Sequence, residues 1–191
     1  MKKIVFFLIT ALFSCTTFAQ SKQQKFEQAV TEIMTCLAKD DLASINKKYI
    51  HPAFELFVVY RMGVPDIFYQ TTTLEKDSVY SAPYFYTAAL KSKKRPLKLS
   101  AVAFDCDKER WTKNGFFYEQ NVPPLLSNIV AFLRDYESVA TPQVTLDIIK
   151  TIESCSYRVV DTESNVVFYL TWTNNEWYLT VFDLVSMDCS A

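Results

Sequence analysis

Apolar positions recur at helical spacing near the start of the chain, where Phe26, Ala29, Val30, Ile33, Met34 and Leu37 share one face and predict a helix over about Lys22 to Lys39. Asp40 or Asp41 can cap a shorter second helix carrying Leu42, Ile45 and Tyr49. After His51 and Pro52 the pattern changes to runs dense in β-formers. The first extends from Phe54 to Arg61 and stops at the segment Met62, Gly63, Val64, Pro65. Residues 66 to 90 hold two shorter runs, Ile67 to Tyr69 and Tyr80 to Tyr86, the second interrupted by Pro83. Alternation returns at Leu97, Leu99, Ala101 and Ala103. The run from Arg110 to Tyr118 contains Asn114 and Gly115, a pair that predicts a type I′ hairpin.

Pro123 and Pro124 open a predicted helix with apolar positions Leu125, Leu126, Ile129, Val130 and Leu133. Thr141 and Pro142 cap and open a further helix, lined by Val144, Ile148 and Ile152. The C-terminal third reads as an antiparallel meander of Ser156 to Asp161, Val166 to Thr173 and Glu176 to Leu184, with Asn174 and Asn175 forming the last turn. A two-residue turn there pairs Trp172 with Trp177, Leu170 with Leu179 and Phe168 with Val181, one apolar face. The other face pairs Thr171 with Tyr178 and Tyr169 with Thr180, leaving it to line a groove or meet water. The fold class is therefore α+β, with N-terminal helices packed on a curved antiparallel sheet that ends in a three-stranded meander.

The extreme N-terminus changes the picture. Lys2 and Lys3 precede an apolar run from Ile4 to Phe13 and then Thr17 and Ala19, the layout of a signal peptide cut before Gln20. The run is about half the length a membrane-spanning helix needs. Residues 1-19 are thus a signal peptide and 20-191 a single exported α+β domain, periplasmic or secreted. The alternative is a membrane-anchored lipoprotein lipidated at Cys15, since Leu12 to Cys15 resembles a lipobox; Phe13 is bulkier than that pattern prefers. Removing residues 1-19 takes away two lysines and no acid, moving the formal net charge from −1 to −3. No basic stripe is present, so nucleic acid is not an expected partner, and a membrane is one only through Cys15. The one basic cluster, Lys91 to Arg95, reads as a solvated turn leading into a strand.

Cys36, Cys106, Cys155 and Cys189 remain after processing, an even number that makes all four disulfide candidates in an exported chain. Their dispersal, without a Cys-x-x-Cys pair, argues against zinc and against redox catalysis. A bond between Cys155 and Cys189 requires the tail to fold back, because the predicted register separates them along the strands.

Two N-terminal helices leading into a sheet that closes on the hairpin Leu170 to Leu179 resemble the nuclear transport factor two-like and cystatin-like group of α+β folds. The chain is also similar to uncharacterised exported proteins of Bacteroidetes, whose signal peptides often end in Ala-Gln. This resemblance covers about 35 residues at the start of the mature chain and about 30 at its end, and the segment from Pro123 to Ile152 departs from it. Catalytic members of the group often hold an Asp/His pair in a conical pocket. Here His51 alone could serve, and no matching motif surrounds it.

Chemistry is mostly excluded. Gly63 and Gly115 are the only glycines, so phosphate cradles, dinucleotide turns and nucleophile elbows cannot be written onto this chain, and no cofactor is expected. His51 is the only histidine and the only imidazole base available, with Glu55 or a nearby Asp as its candidate partner; a His-Pro turn between helix and strand is the plainer role. Asp105, Asp107 and Glu109 alternate but lack the EF-hand glycine and distal glutamate, which favours a solvated hairpin over a metal site. Tyr80, Tyr84, Tyr86 and Trp111 are candidates to stack on sugar rings, against the alternative of ordinary sheet packing. The expectation is a non-enzymatic domain that binds a small molecule, glycan or envelope partner. A pocketed hydrolase or lyase using His51 or a carboxylate, and a structural or interaction protein of the envelope, are the alternatives.

Overall fold

A computed structural model describes residues 21–61, 63, 65–75 and 95–190. The expected signal peptide, Cys15, Tyr80, Tyr84, Tyr86 and most of the basic cluster lie outside the described residues. Helix α1 (Lys22–Ala38) begins with a capping box in which the Ser21 hydroxyl accepts from the Gln24 backbone and the Gln24 side chain accepts from the Ser21 backbone. Its buried face is Phe26, Ala29, Val30, Ile33 and Leu37, as the periodicity predicts. Asp41 caps α2 (Leu42–Tyr49), which buries Ile45 and Tyr49.

Strands β1 (Leu56–Arg61) and β2 (Asp66–Thr71) form an antiparallel pair. Next come β3 (Leu97–Leu99), the short β4 (Phe104–Asp105) and β5 (Arg110–Trp111), and β6 (Phe116–Glu119). Helices α3 (Leu125–Glu137) and α4 (Gln143–Cys155) precede the meander of β7 (Ser156–Asp161), β8 (Val166–Thr173) and β9 (Glu176–Asp183). The fold is α+β. Its seven-stranded sheet runs β2-β1-β9-β8-β7-β6-β3, antiparallel except where β1 joins β9 and β3 joins β6; β4 and β5 make a separate hairpin.

Both faces of the large sheet are covered. Tyr49, Leu56, Val159, Phe168, Leu170, Trp177, Leu179 and Phe182 pack with α1 and α2 in one core. Phe57, Val59, Phe117, Val160, Val167, Tyr169 and Val181 pack with Leu126, Ile129, Ile149 and Ile152 of α3 and α4 in the other. The second face of the meander is therefore neither groove nor water-facing: the helices after Pro124 close it. On α4 the buried positions are Thr145, Ile149 and Ile152, whereas Val144 is 66% exposed. A threonine takes the place that hydrophobicity alone gives to valine. Thr141 makes no cap, because Pro142 occupies that position without a side-chain hydrogen bond.

The last hairpin turns at Asn174 and Asn175, with φ of 51° and 60°, as a type I′ turn requires. Its register follows the predicted pairing through Leu170 and Leu179 and then slips at a bulge. Beyond it Tyr169 pairs with Val181 and Phe168 with Phe182, not with Thr180 and Val181. Thr180 sits at the bulge with its hydroxyl 2.6 Å from that of Thr171, which lies 2.7 Å from the Ser156 hydroxyl. This buried hydroxyl chain ends on the Ile152 carbonyl of α4.

Asn114 and Gly115 do not form a hairpin. Only Gly115 has positive φ, 138°, and the chain there crosses from the β4–β5 hairpin into the large sheet. The tight connection lies instead between Asp105 and Arg110, where Glu109 has φ of 48°.

Candidate functional site

The β4–β5 hairpin is too short to hold itself in place, and polar ties do so. The Thr112 amide donates to the Ala103 carbonyl at 2.8 Å, and the Lys113 ammonium donates to the Ala101 carbonyl at 2.9 Å. Below it, Arg158 reaches up from the sheet to the Val102 carbonyl and pairs with Glu119 at 2.7 Å, while the Val102 amide donates to Glu119. The β7–β8 turn closes the other side. There Thr162 exchanges hydrogen bonds with Gly115, its hydroxyl accepting from the Gly115 amide at 2.8 Å. A Cβ at Gly115 would meet the Phe117 ring at 3.3 Å, and its φ is one that side chains rarely adopt, so glycine is required here.

Between hairpin and turn lies an open cleft of about 800 Å³ lined by Phe104, Asp105, the stretch from Lys108 to Asn114, Thr162 and Asn165. Trp111 is its aromatic element. The indole Nε1 donates to the Asn165 side chain at 2.9 Å, and the ring meets Phe104 edge-on with centroids 5.4 Å apart. Both contacts fix the indole, and it remains partly exposed. The Lys108 ammonium beside Asp105 holds that carboxyl below the usual carboxylate range. Acids and bases thus alternate around one indole, an arrangement suited to a polar ligand with an apolar face.

The covalent tie at this site joins Cys106, in the β4–β5 connection, to Cys189 in the tail after β9. Cys36 and Cys155 are free thiols, so one bridge forms among the four candidates rather than two. Burial raises the Cys36 thiol above its ordinary value. The tail does fold back, and it folds toward Cys106. Arg61 holds it there, pairing with Asp66 and donating to the carbonyls of Asp188 and Ser190 at 2.8 and 2.5 Å.

His51 stands at the opposite end of the sheet. Its Nδ1 accepts from the Ala53 amide at 3.1 Å, its carbonyl accepts from the amides of Phe54 and Glu55, and its ring lies 4.7 Å from that of Tyr178. Glu55 has a positive φ of 57°. The His-Pro segment is built as a turn, with no carboxylate on the imidazole among the described residues. Asp105, Asp107 and Glu109 do not converge either: no group of three potential ligands among the described residues could hold a metal ion. Arg95, from the basic cluster, pairs with the buried Asp161 at 2.6 Å and with Glu163 at 3.0 Å.

Of the sequence candidates, Trp111 lines the cleft and Cys106 lies in the β4–β5 connection next to the lining residue Asp105, while His51 is set apart. Thr162 and Asn165 were not singled out by sequence, because nothing local links the β7–β8 turn to residues some fifty positions earlier. No described helix is long and apolar enough to cross a membrane. No known protein family, curated protein or solved structure matches the chain.

Proposed function

We propose that this is an exported, non-catalytic domain that binds a saccharide along the Trp111 cleft. The observation that carries the reading is the restrained indole. Asn165 and Phe104 fix Trp111 at the wall of an open cleft of mixed polar and apolar lining, so a sugar ring can stack on it without paying the entropy of ordering the platform. Asp105, Glu109, Arg110 and Lys113 supply hydrogen-bonding groups around it. The Cys106–Cys189 bridge fits an oxidising compartment, which supports export.

Titration of the mature protein with soluble chitooligosaccharides, cello-oligosaccharides and oligogalacturonates, followed by calorimetry, tests this. At least one class should bind saturably. Trp111→Ala should weaken it about ten-fold or more while leaving the thermal midpoint within a few degrees, since the indole is partly exposed. Equal affinity of Trp111→Ala and the parent sinks the proposal. The interaction-protein reading draws on the tip of the α3–α4 hairpin, where Tyr136, Val144 and Val139 are 78%, 66% and 47% exposed. Flat titrations with every saccharide would make it the stronger reading.

A further inference from the structure

At the end of the sheet away from the cleft, the Lys22 ammonium sits over three aromatic rings. Its Nζ is 5.3 Å from the Tyr157 centroid, 5.5 Å from that of Trp172 and 5.1 Å from that of Trp177. The rings come from three adjacent strand positions on one face: Trp172 and Trp177 are a cross-strand pair, and Tyr157 pairs with Leu170 on the neighbouring strand. They are packed as a unit. The centroids of Tyr157 and Trp177 are 4.8 Å apart and those of Trp172 and Trp177 5.2 Å apart, with Phe26 of α1 supporting Trp177 and Tyr157 from behind. The Trp177 indole N–H is already spent on the Lys22 carbonyl at 3.0 Å, which fixes its face toward the ammonium.

The occupant is poorly matched to this site. Among the described residues the Lys22 ammonium has neither a carboxylate nor any hydrogen-bond acceptor, so its N–H donors depend on water while aromatic faces cover one side. Its neighbour Lys25, by contrast, pairs with Glu176 and donates to the Asn175 carbonyl. A primary ammonium is strongly hydrated and loses part of that hydration against rings. A quaternary ammonium has no N–H to satisfy, is weakly hydrated and gains the same attraction from the ring faces.

We infer that Tyr157, Trp172 and Trp177 form a binding site for an organic quaternary ammonium group, with the Lys22 side chain as its built-in competitor. Lys22 is exposed and its side chain is long and flexible, so it can swing into water and vacate the rings without moving α1. The site is separate from the Trp111 cleft and does not depend on the saccharide reading.

The probe is tetramethylammonium chloride, titrated into the mature protein at constant chloride and followed by its methyl proton shift and by tryptophan fluorescence. Saturable binding with an upfield methyl shift is expected. Lys22→Ala and Lys22→Gln should each tighten it about five-fold by removing the internal competitor, and Trp172→Ala in the Lys22→Ala background should lose about ten-fold of that affinity. The uncharged tert-butyl alcohol 3,3-dimethylbutanol, which keeps three methyl groups but carries no charge, should not compete. The proposal fails if the parent shows no saturable methyl shift, if neither Lys22 variant binds more tightly, or if the alcohol binds equally well, which would mark an apolar patch rather than a cation site. Circular dichroism of each variant separates loss of the site from loss of the fold.

Discussion

The two ends of the sheet are held by different forces. At the end carrying the Asn174–Asn175 turn, the start of α1 and the β8–β9 hairpin enclose a cluster of rings, with Phe26 fully buried and within 5.1 Å of the centroids of Tyr118, Tyr157 and Trp177. Stabilisation there comes from apolar area and grows with every contact. At the other end, the β4–β5 hairpin, the β7–β8 turn and the C-terminal tail are short segments with little area to bury. They are fixed by directional bonds: Cys106 to Cys189, Arg61 to the tail carbonyls, Trp111 to Asn165, and Asp183 accepting from the Val185 and Ser186 amides. Packing fills space, whereas a few directed ties can hold a frame around an open volume. That is why the cleft occurs at the second end.

The comparison breaks most readily at Phe26. Phe26→Ala removes the ring on which Tyr118, Tyr157 and Trp177 converge and should cost about 3–5 kcal/mol, read as a loss of urea midpoint with unchanged slope. If the two ends are held independently, the saccharide binding proposed for the cleft should survive under conditions where the variant remains folded. A cleft that fails together with the aromatic end would refute the division.

The bridge provides the converse test. In a chain-entropy treatment, a disulfide closing 83 residues restrains the unfolded chain by about 4.5 kcal/mol, so the Cys106→Ser/Cys189→Ser variant should be destabilised by up to that amount. Hydrogen exchange should quicken first in residues 100–113 and 184–190 and leave the Phe26 face of α1 protected. Uniform acceleration would show that the bridge supports the whole fold equally. Alkylation of the denatured, unreduced protein should label Cys36 and Cys155 and spare Cys106 and Cys189.

What could be read from sequence divides along the same line. The face of α1 was legible because five buried residues at helical spacing leave little choice, and the meander was legible because strand alternation and the Asn174–Asn175 turn agree. The register then failed at Thr180, since the bulge leaves no mark in a run that is β-forming on either side of it. Asn114 and Gly115 misled for a related reason: the turn chemistry was read, but the partner strand was set by tertiary contacts, with Thr162 capturing Gly115 from the β7–β8 turn. The cleft was legible only as Trp111. Its frame joins segments far apart in sequence through single hydrogen bonds and one disulfide, and such bonds have no periodicity to detect.

The smallest effect concerns the helical layer, where the Glu32 carboxylate accepts from the Lys48 ammonium and from the Tyr49 hydroxyl at 2.6 Å. These two hydrogen bonds favour the ionised form and lower the Glu32 pKa from 4.5 to about 2; burial and the same carboxylate push the Tyr49 hydroxyl up. A carboxyl whose folded pKa is depressed contributes stability that is present above its unfolded value and is lost as pH falls from about 4.5 toward 2. The Glu32 side chain is 36% exposed, so solvent screening limits the loss to about 1 kcal/mol or less. Urea unfolding of the parent at pH 5.5 and pH 2.5, compared with Glu32→Gln, isolates it from the other carboxyls. The variant should start less stable at the higher pH and lose less on acidification. Parallel pH profiles would mean that the Glu32 contacts are too well solvated to matter, and that α1 and α2 are joined by their apolar faces alone.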